Sequence, residues 1–180
     1  CLVTGSNGFI GKSICKKLKN VGAKVLETDF KNVKKKTKQF SLANLNKEKD
    51  LKHLYETVKK YKKIDVLVNN HGYLAADEIN KNIFYNEEYI KLNLDATIKL
   101  TEKLLPLLKN SKSASIINIS SIYGFMAYDK NLYIGTNMIA PVAYGVSKGG
   151  LTQFSKLLAS KFGPKIRVNT LSPGGVFRNQ

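Results

Sequence analysis

The order of apolar runs and chain breakers predicts an α/β protein: a doubly wound parallel sheet with helices on both faces, three layers deep. Three observations carry this. Short β-branched runs alternate with longer amphipathic stretches along the whole chain, the pattern of strand–helix–strand crossovers. A glycine-rich turn joins the first strand to the first helix, and an acid, Asp29, ends the second strand.

Taken in order, Cys1 to Thr4 reads as the end of a buried parallel strand whose first residues precede this sequence. Gly5-Ser6-Asn7-Gly8-Phe9-Ile10-Gly11 leads into a helix over 12–20, where Ile14, Cys15 and Leu18 share a face, and Gly22 stops it. Ala23 to Thr28 is the second strand. Residues 31–38 read as a lysine-rich loop, and 39–42 as a short third strand. A helix over 47–60 carries Leu51, Leu54, Tyr55 and Val58 at helical spacing, with His53 exposed among lysines. Residues 64–70 form a fourth, fully buried strand that ends in Asn69-Asn70-His71-Gly72, and a variable loop runs to Asn86. Residues 87–110 read as one long helix that Pro106 can kink. Residues 115–121 are a fifth strand, and 122–142 a polar, aromatic connection. A helix bearing Tyr144 runs to Phe162 and stops at Gly163-Pro164. Arg167 to Leu171 is a sixth strand, followed by Ser172-Pro173-Gly174-Gly175. No repeat, linker or low-complexity boundary divides the 180 residues, so one domain is expected.

Composition excludes some classes of function. Hydrophobic content of 43% is globular. No apolar run approaches ~20 residues, so no membrane span is expected, and no secretory leader pattern is visible. Cys1 and Cys15 read as two buried thiols in a reducing, cytoplasmic setting. The net charge of +17 invites a nucleic-acid reading, but arginine occurs only at Arg167 and Arg178. Arginine is the usual residue for bidentate base or phosphate recognition. A solvated lysine surface is the preferred reading, and no nucleic-acid partner is expected.

Chemistry concentrates in two places. Glycines at 5, 8 and 11 let backbone approach a pyrophosphate, and a helix N-terminus offers it free N–H groups and a favourable dipole. Asp29, 18 residues after Gly11, can accept hydrogen bonds from ribose hydroxyls. The turn could instead merely pack a helix on the sheet. Asp29 favours NAD over NADP, whose 2′-phosphate would meet its charge, while Lys31 leaves NADP open. The second place is Tyr144-Gly-Val-Ser-Lys148. Tyrosine and lysine four residues apart share a helix face. A nearby ammonium favours the phenolate of a group that titrates near ~10 in isolation. The spacing alone describes many ordinary surface helices. No metal-ligand cluster stands out.

Six ordered pieces resemble the short-chain dehydrogenase/reductase family over nearly the whole chain. They are Thr4-Gly5-Ser-Asn-Gly8-Phe-Ile-Gly11, Asn69-Asn70-His71-Gly72, Asn93 in Lys-Leu-Asn-Leu, Ile119-Ser120-Ser121-Ile-Tyr-Gly124, Tyr144-Gly-Val-Ser-Lys148, and Arg167-Val-Asn-Thr-Leu-Ser-Pro173-Gly174. The resemblance implies a Rossmann-like sheet and an NAD(P)-dependent oxidoreductase. It implies Tyr144 as general acid/base, and Lys148 lowering its pKa and binding the nicotinamide ribose. Ser121 holds the substrate oxygen, with Ser120 as the alternative. Asn93 holds a relay water, or is a helix-interior Asn bonded to backbone. The cofactor would lie along Gly5, Ser6, Asn7, Gly8, Phe9, Ile10, Gly11, Asp29, Asn44, Leu45, Asn70, Gly72, Tyr144, Lys148, Pro173, Gly174 and Val176.

The chain also departs from the family. Its glycine spacing and Ser-Ser-Ile-Tyr-Gly are similar to the extended branch that modifies nucleotide sugars; Asn-Asn-His-Gly and Ser-Pro-Gly-Gly are similar to the simple branch. His71 stands where that branch commonly has alanine, and contact with cofactor and backbone packing are both open to it. Asn44 stands where an Asp is frequent. Arg178 or Asn179 replaces the usual threonine after the Pro-Gly turn. Ser121 and Tyr144 are 23 residues apart, a longer interval than the simple branch carries. Tyr128, Asp129, Lys130, Tyr133, Thr136 and Asn137 in it suit a polyhydroxylated ligand. The stretch from Ser120 to Gln180 resembles oxidoreductases of bacterial flagellin modification and surface-sugar synthesis. The expected function is hydride transfer between nicotinamide and a secondary alcohol or ketone on a sugar. The alternative is a nucleotide-sugar epimerase or dehydratase with retained NAD; a nucleotide sensor or nucleic-acid binder is a third. The family implies a homodimer or homotetramer through the helices of Glu87 and Tyr144, and a further C-terminal part beyond this sequence.

Overall fold

Six strands build one parallel sheet in the computed structural model, in the order β3-β2-β1-β4-β5-β6. They are β1 Leu2–Thr4, β2 Leu26–Asp29, β3 Phe40–Leu42, β4 Val66–Asn69, β5 Ala114–Ile119 and β6 Ile166–Leu171. The structure describes residues 1–31, 39–74, 87–129, 131, 134–135 and 141–176. The loops expected over 32–38 and 75–86, and Lys130, Tyr133, Thr136, Asn137, Arg178 and Asn179, lie outside the described residues.

Side chains alternate across each strand, and each set finds its own helices. Leu2, Leu67, Ile116 and Ile166 face α2 (Glu48–Lys59), α4 (Ala96–Lys109) and α5 (Val142–Phe162) in the larger core. Val3, Val68 and Ile119 face the other way, onto Ile14, Cys15 and Leu18 of α1 (Phe9–Asn20). Helices therefore cover both faces, as expected. In α2, Leu51, Leu54 and Val58 are buried, while Glu48 and Asp50 in the first turn and Lys59 in the last complement the dipole. Burying each such aliphatic side chain contributes roughly 1.5–3 kcal/mol.

The winding reverses between β1 and β4. The chain leaves β1 for β2 and β3, then returns to the other side of β1. Loops from the carboxyl ends of β1 and β4 thus diverge and leave a crevice, where ligands bind in such sheets. Beneath that end runs a buried polar row. Asn69 Nδ2 donates to Asn118 Oδ1 (2.8 Å) and Thr101 Oγ1 (3.2 Å), and Asn118 Nδ2 donates to Ser155 Oγ (2.8 Å). It ties β4 and β5 to α4 and α5.

Several bounds differ from expectation. α1 starts at Phe9 rather than at Lys12, so the glycine motif itself supplies its first turn. β5 ends at Ile119, which leaves Ser120 and Ser121 in the loop at its tip. The helix expected over 87–110 is interrupted: α3 (Glu87–Ile90) passes through a π-helical turn, Lys91–Asp95, before α4 resumes. Pro106 sits inside α4. Cys15 is buried, and burial with Glu27 nearby pushes its thiol up to about 11, so it is inert packing. Cys1 is only partly buried, because it precedes the strand at the sheet's amino edge.

Candidate active site

The glycine turn is held in shape from three sides. Gly5 follows Thr4 at the tip of β1 with φ +59, the left-handed region that costs a residue with Cβ. A Cβ there would also meet His71 Cα at 2.8 Å, and one on Gly11 would meet the Gly5 carbonyl oxygen at 2.1 Å. Asn70 Nδ2 donates to the carbonyls of Thr4 (3.1 Å) and Gly5 (2.9 Å). Ser6 donates through both N–H and Oγ to the Thr28 carbonyl, at 3.2 Å each. Asp29 accepts from Asn7 N–H (2.9 Å) and from Lys31 N–H (3.0 Å), one on each oxygen. Its carboxylate therefore shapes the turn it was expected to serve, and each oxygen retains a further lone pair.

The first turn of α1 has Gly8 as its N-cap, so the cap residue has no side chain to accept from the turn's N–H groups. Those donors, the Asp29 carboxylate and the exposed Gly72 in the crevice fit a dinucleotide: amides for pyrophosphate, an acceptor for ribose hydroxyls, and open backbone between. Asn44 uses its amide oxygen to close a turn with Asn46 N–H (3.1 Å), and its own N–H donates to Asp50 (2.9 Å). Leu45 buries its side chain in the larger core, so only its backbone faces the loop.

At the other end of the crevice, α5 brings Tyr144 and Lys148 to the tip of β5. Lys148 is 5% exposed, donates from Nζ to the Ile119 carbonyl (2.9 Å), and lies 5.8 Å from the Tyr144 ring centroid. Burial pushes its ammonium down to about 8. A Cβ on Gly72 would lie 3.4 Å from both Lys148 Nζ and Asn93 Oδ1. Glycine there leaves the amine and the amide facing one small space.

The two serines separate cleanly. Ser120 Oγ bonds the Lys148 carbonyl (2.9 Å) and Thr152 Oγ1 (3.1 Å), so it anchors α5. Ser121 begins the short 3-10 turn Ile122–Gly124, accepts from Tyr123 N–H at 3.3 Å, and keeps its own proton to donate. Pro173 accepts from Ile122 N–H (3.1 Å), and a Cβ on Gly174 would lie 3.8 Å from Ile122. The loop after β6 is thereby set beside Ser121; Val176, partly buried, follows in that loop.

Asn93 is fully buried in the π-helical turn. Its Oδ1 accepts from Tyr73 N–H (2.6 Å), and its Nδ2 donates to the Tyr73 carbonyl (3.1 Å) and to Ser147 Oγ (3.2 Å). Ser147 in turn donates to the Tyr144 carbonyl (2.7 Å). The amide thus clamps the loop after β4 to α5, and π-helical turns of this kind recur at functional sites. Tyr89 was not anticipated: it is buried, packs edge-on to Tyr144 (6.1 Å, 75°) and lies 5.3 Å from Tyr73. Its only trace in the sequence is its place four residues before Asn93. Of the segment between Ser121 and Tyr144, Tyr128 packs on Tyr123 at 6.0 Å, and Asp129 is exposed. Among the described residues no group of three His, Cys, Asp or Glu could hold a metal, and no helix is long and apolar enough to cross a membrane.

Comparison with known proteins places these features in company. The family model described as short chain dehydrogenase matches residues 1–178. A protein of Campylobacter coli, named post-translational flagellin modification protein A, is 32% identical over 99% of this chain and 77% of its own length. The 7alpha-hydroxysteroid dehydrogenase of Bacteroides fragilis is 31% identical over 96% of this chain and 70% of its own. A crystal structure of a short chain dehydrogenase from Leptospira borgpetersenii with bound NAD+ superposes with a TM-score of 0.84 at 31% identity, covering 99% of this chain and 72% of that one.

Proposed function

The chain belongs to the short-chain dehydrogenase family and is an NAD(P)-dependent oxidoreductase, and on that premise we propose that it interconverts a secondary alcohol and a ketone on a sugar or sugar derivative, in flagellin or surface-glycan modification. The observation that carries the chemistry is the buried Lys148 amine beside Tyr144, with Ser121 at the adjacent strand tip. The sugar assignment is supported by the likeness to the Campylobacter coli flagellin modification protein and by the polar, tyrosine-bearing segment between Ser121 and Tyr144. A steroid dehydrogenase is matched almost equally well, so steroids join the sugars in the turnover test.

The bound nicotinamide supplies a hydride acceptor or donor; the rest is done by side chains. Ser121 donates a hydrogen bond to the substrate oxygen and orients it, keeping its proton. Tyr144 takes or gives the hydroxyl proton. Lys148 favours the phenolate by charge and binds the nicotinamide ribose. Asn93 holds the relay geometry. The glycine turn and Asp29 hold the pyrophosphate and adenosine ribose, with Asn44, Asn70, Gly72, Pro173, Gly174 and Val176 lining the path. NAD is the cofactor that Asp29 favours; Lys31 beside it leaves NADP as an outcome of the test. The cytoplasm is the assigned compartment, in keeping with free Cys1 and Cys15. Val142, Val146 and Leu157 are exposed along one face of α5; we assign that stripe, with the helix of Glu87, to a homodimer or homotetramer interface. Light scattering that gives a monomer at micromolar concentration would end the oligomer reading.

The functional test is a thermal-shift screen with NAD, NADP and a panel of sugars and nucleotide sugars, followed by turnover of each hit. Stoichiometric NADH release with a sugar alcohol supports the proposal. Conversion of a nucleotide sugar with no net NADH replaces it by an epimerase or dehydratase. Turnover of steroids alone rejects the sugar. Tyr144→Phe should lower kcat by about 10³-fold or more while leaving NADH affinity within about twofold; unchanged turnover would remove Tyr144 from the chemistry.

A further inference from the structure

His71 is the motif residue that the reaction does not use. It occupies the bend where the chain turns from β4 into the crevice, between the glycine turn and the π-helical turn. Its ring touches the residue that flanks each, Thr4 at the tip of β1 and Thr97 in the first turn of α4. Nδ1 is 2.7 Å from Thr4 Oγ1, and Nε2 is 3.2 Å from Thr97 Oγ1. Thr4 is 0% exposed and Thr97 1%, so these hydroxyls find their partners within the protein.

Counting protons determines the tautomer. Thr4 Oγ1 already accepts from the backbone N–H groups of Asn70 (3.0 Å) and His71 (3.1 Å). A hydroxyl has two acceptor positions and one proton. A third incoming N–H from the ring has no lone pair to use, so Thr4 must donate, and the ring nitrogen at 2.7 Å is a nearer acceptor than the Val68 carbonyl at 3.3 Å. Nδ1 is then unprotonated and Nε2 carries the hydrogen, which it donates to Thr97 Oγ1. Thr97 donates onward to the Asn93 carbonyl at 3.4 Å. The chain of donors runs one way: Thr4, His71, Thr97, Asn93.

We propose that His71 is a positioning residue, a neutral Nε2–H imidazole that straps the tip of β1, where the cofactor turn begins, to the first turn of α4, directly after the π-helical turn that presents Asn93. Each end of the strap is a part of the site. Thr4 immediately precedes Gly5, and His71 Cα is among the atoms nearest to where a Gly5 side chain would lie. Thr97 is one turn beyond Asn93 on the same helix face. A cation at this position has no acceptor at Nδ1, and Lys148 and burial both oppose it, holding the imidazole down to about 3. An alanine would remove one partner from each of two buried hydroxyls and leave the crevice walls joined by fewer bonds.

The test needs no substrate. The chain has two histidines, His53 and His71, so long-range ¹H–¹⁵N correlation spectra of the labelled protein resolve both. His71 should show the Nε2–H pattern at pH 8 and keep it at pH 5.5. Thr97→Val keeps the shape and removes the acceptor; it should weaken NADH binding, read by fluorescence, by about fivefold, the loss of one hydrogen bond. Thr97→Ser should restore affinity to within about twofold. An Nδ1–H tautomer, a His71 that has become doubly protonated by pH 5.5, or equal NADH affinity in the Val and Ser variants would each overturn the proposal.

Discussion

The distinction between Ser120 and Ser121 is a matter of one peptide unit, and under the proposed function it sets which hydroxyl is left to meet substrate. Because β5 ends at Ile119, the next two residues point in different directions. Ser120 is spent on the Lys148 carbonyl and Thr152, while Ser121 only accepts from Tyr123 N–H. Ser121→Ala should therefore cost about 10²-fold in kcat, the usual effect of removing one donor aimed at a reacting oxygen. Ser120→Ala should lower stability by about 1 kcal/mol with kcat within about threefold. Kinetics and urea denaturation of both variants check this; the reverse pattern would exchange their roles. Lys148 shows the same economy of position. A buried ammonium is not a source of stability, so the burial of its amine is accounted for by the proposed reaction rather than by the fold.

At the scale of elements, the site is assembled by two irregularities rather than by regular helix or strand. The glycine turn is compact because α1 begins inside it, with Gly11 directly over the Gly5 carbonyl. Gly11→Ala would place a methyl group 2.1 Å from that oxygen. Backbone must move, so we expect a loss of about 3 kcal/mol in chemical denaturation and of measurable NADH binding; wild-type affinity in that variant would show that the turn does not hold the pyrophosphate. The π-helical turn is the second irregularity. It lets Asn93 aim inward at Tyr73 and Ser147 while Tyr89, one turn earlier, backs Tyr144.

At the scale of the molecule, two buried bases at the crevice make stability depend on pH in opposite ranges. His71 is held neutral, so the unfolded chain takes up its proton near 6.5 while the folded chain does not. Its stabilisation is fully present above 6.5 and is lost as pH falls toward 3. The Tm difference between wild type and His71→Ala should narrow from pH 7 to pH 4. Lys148, depressed from 10.5 to about 8, burdens the fold whenever it is charged; that burden is lifted as pH rises from 8 toward 10.5. Wild type should therefore gain Tm relative to Lys148→Met over that range. Differences independent of pH would contradict both assignments.

By itself the sequence determined the sheet, its helices and the identity of the motif residues, because hydrophobic periodicity, glycine turns and an acid at a strand end are local signals. Alternation pointed to a doubly wound parallel sheet; the strand order, with the crevice at the reversal between β1 and β4, came from the structure. Tertiary structure alone decided what depends on partners distant in the chain. The shaping of the glycine turn by Asp29 and Asn70, the bonding of Ser120 to α5, and the contact of Tyr89 with Tyr144 all join residues that no window contains. The π-helical turn escaped a reading based on a single helical period, since it departs from that period. His71 is the sharpest case: beside Asn70 and Gly72 it reads as one residue of a loop, and only the approach of Thr4 and Thr97 from two other elements gives its ring a tautomer and a task.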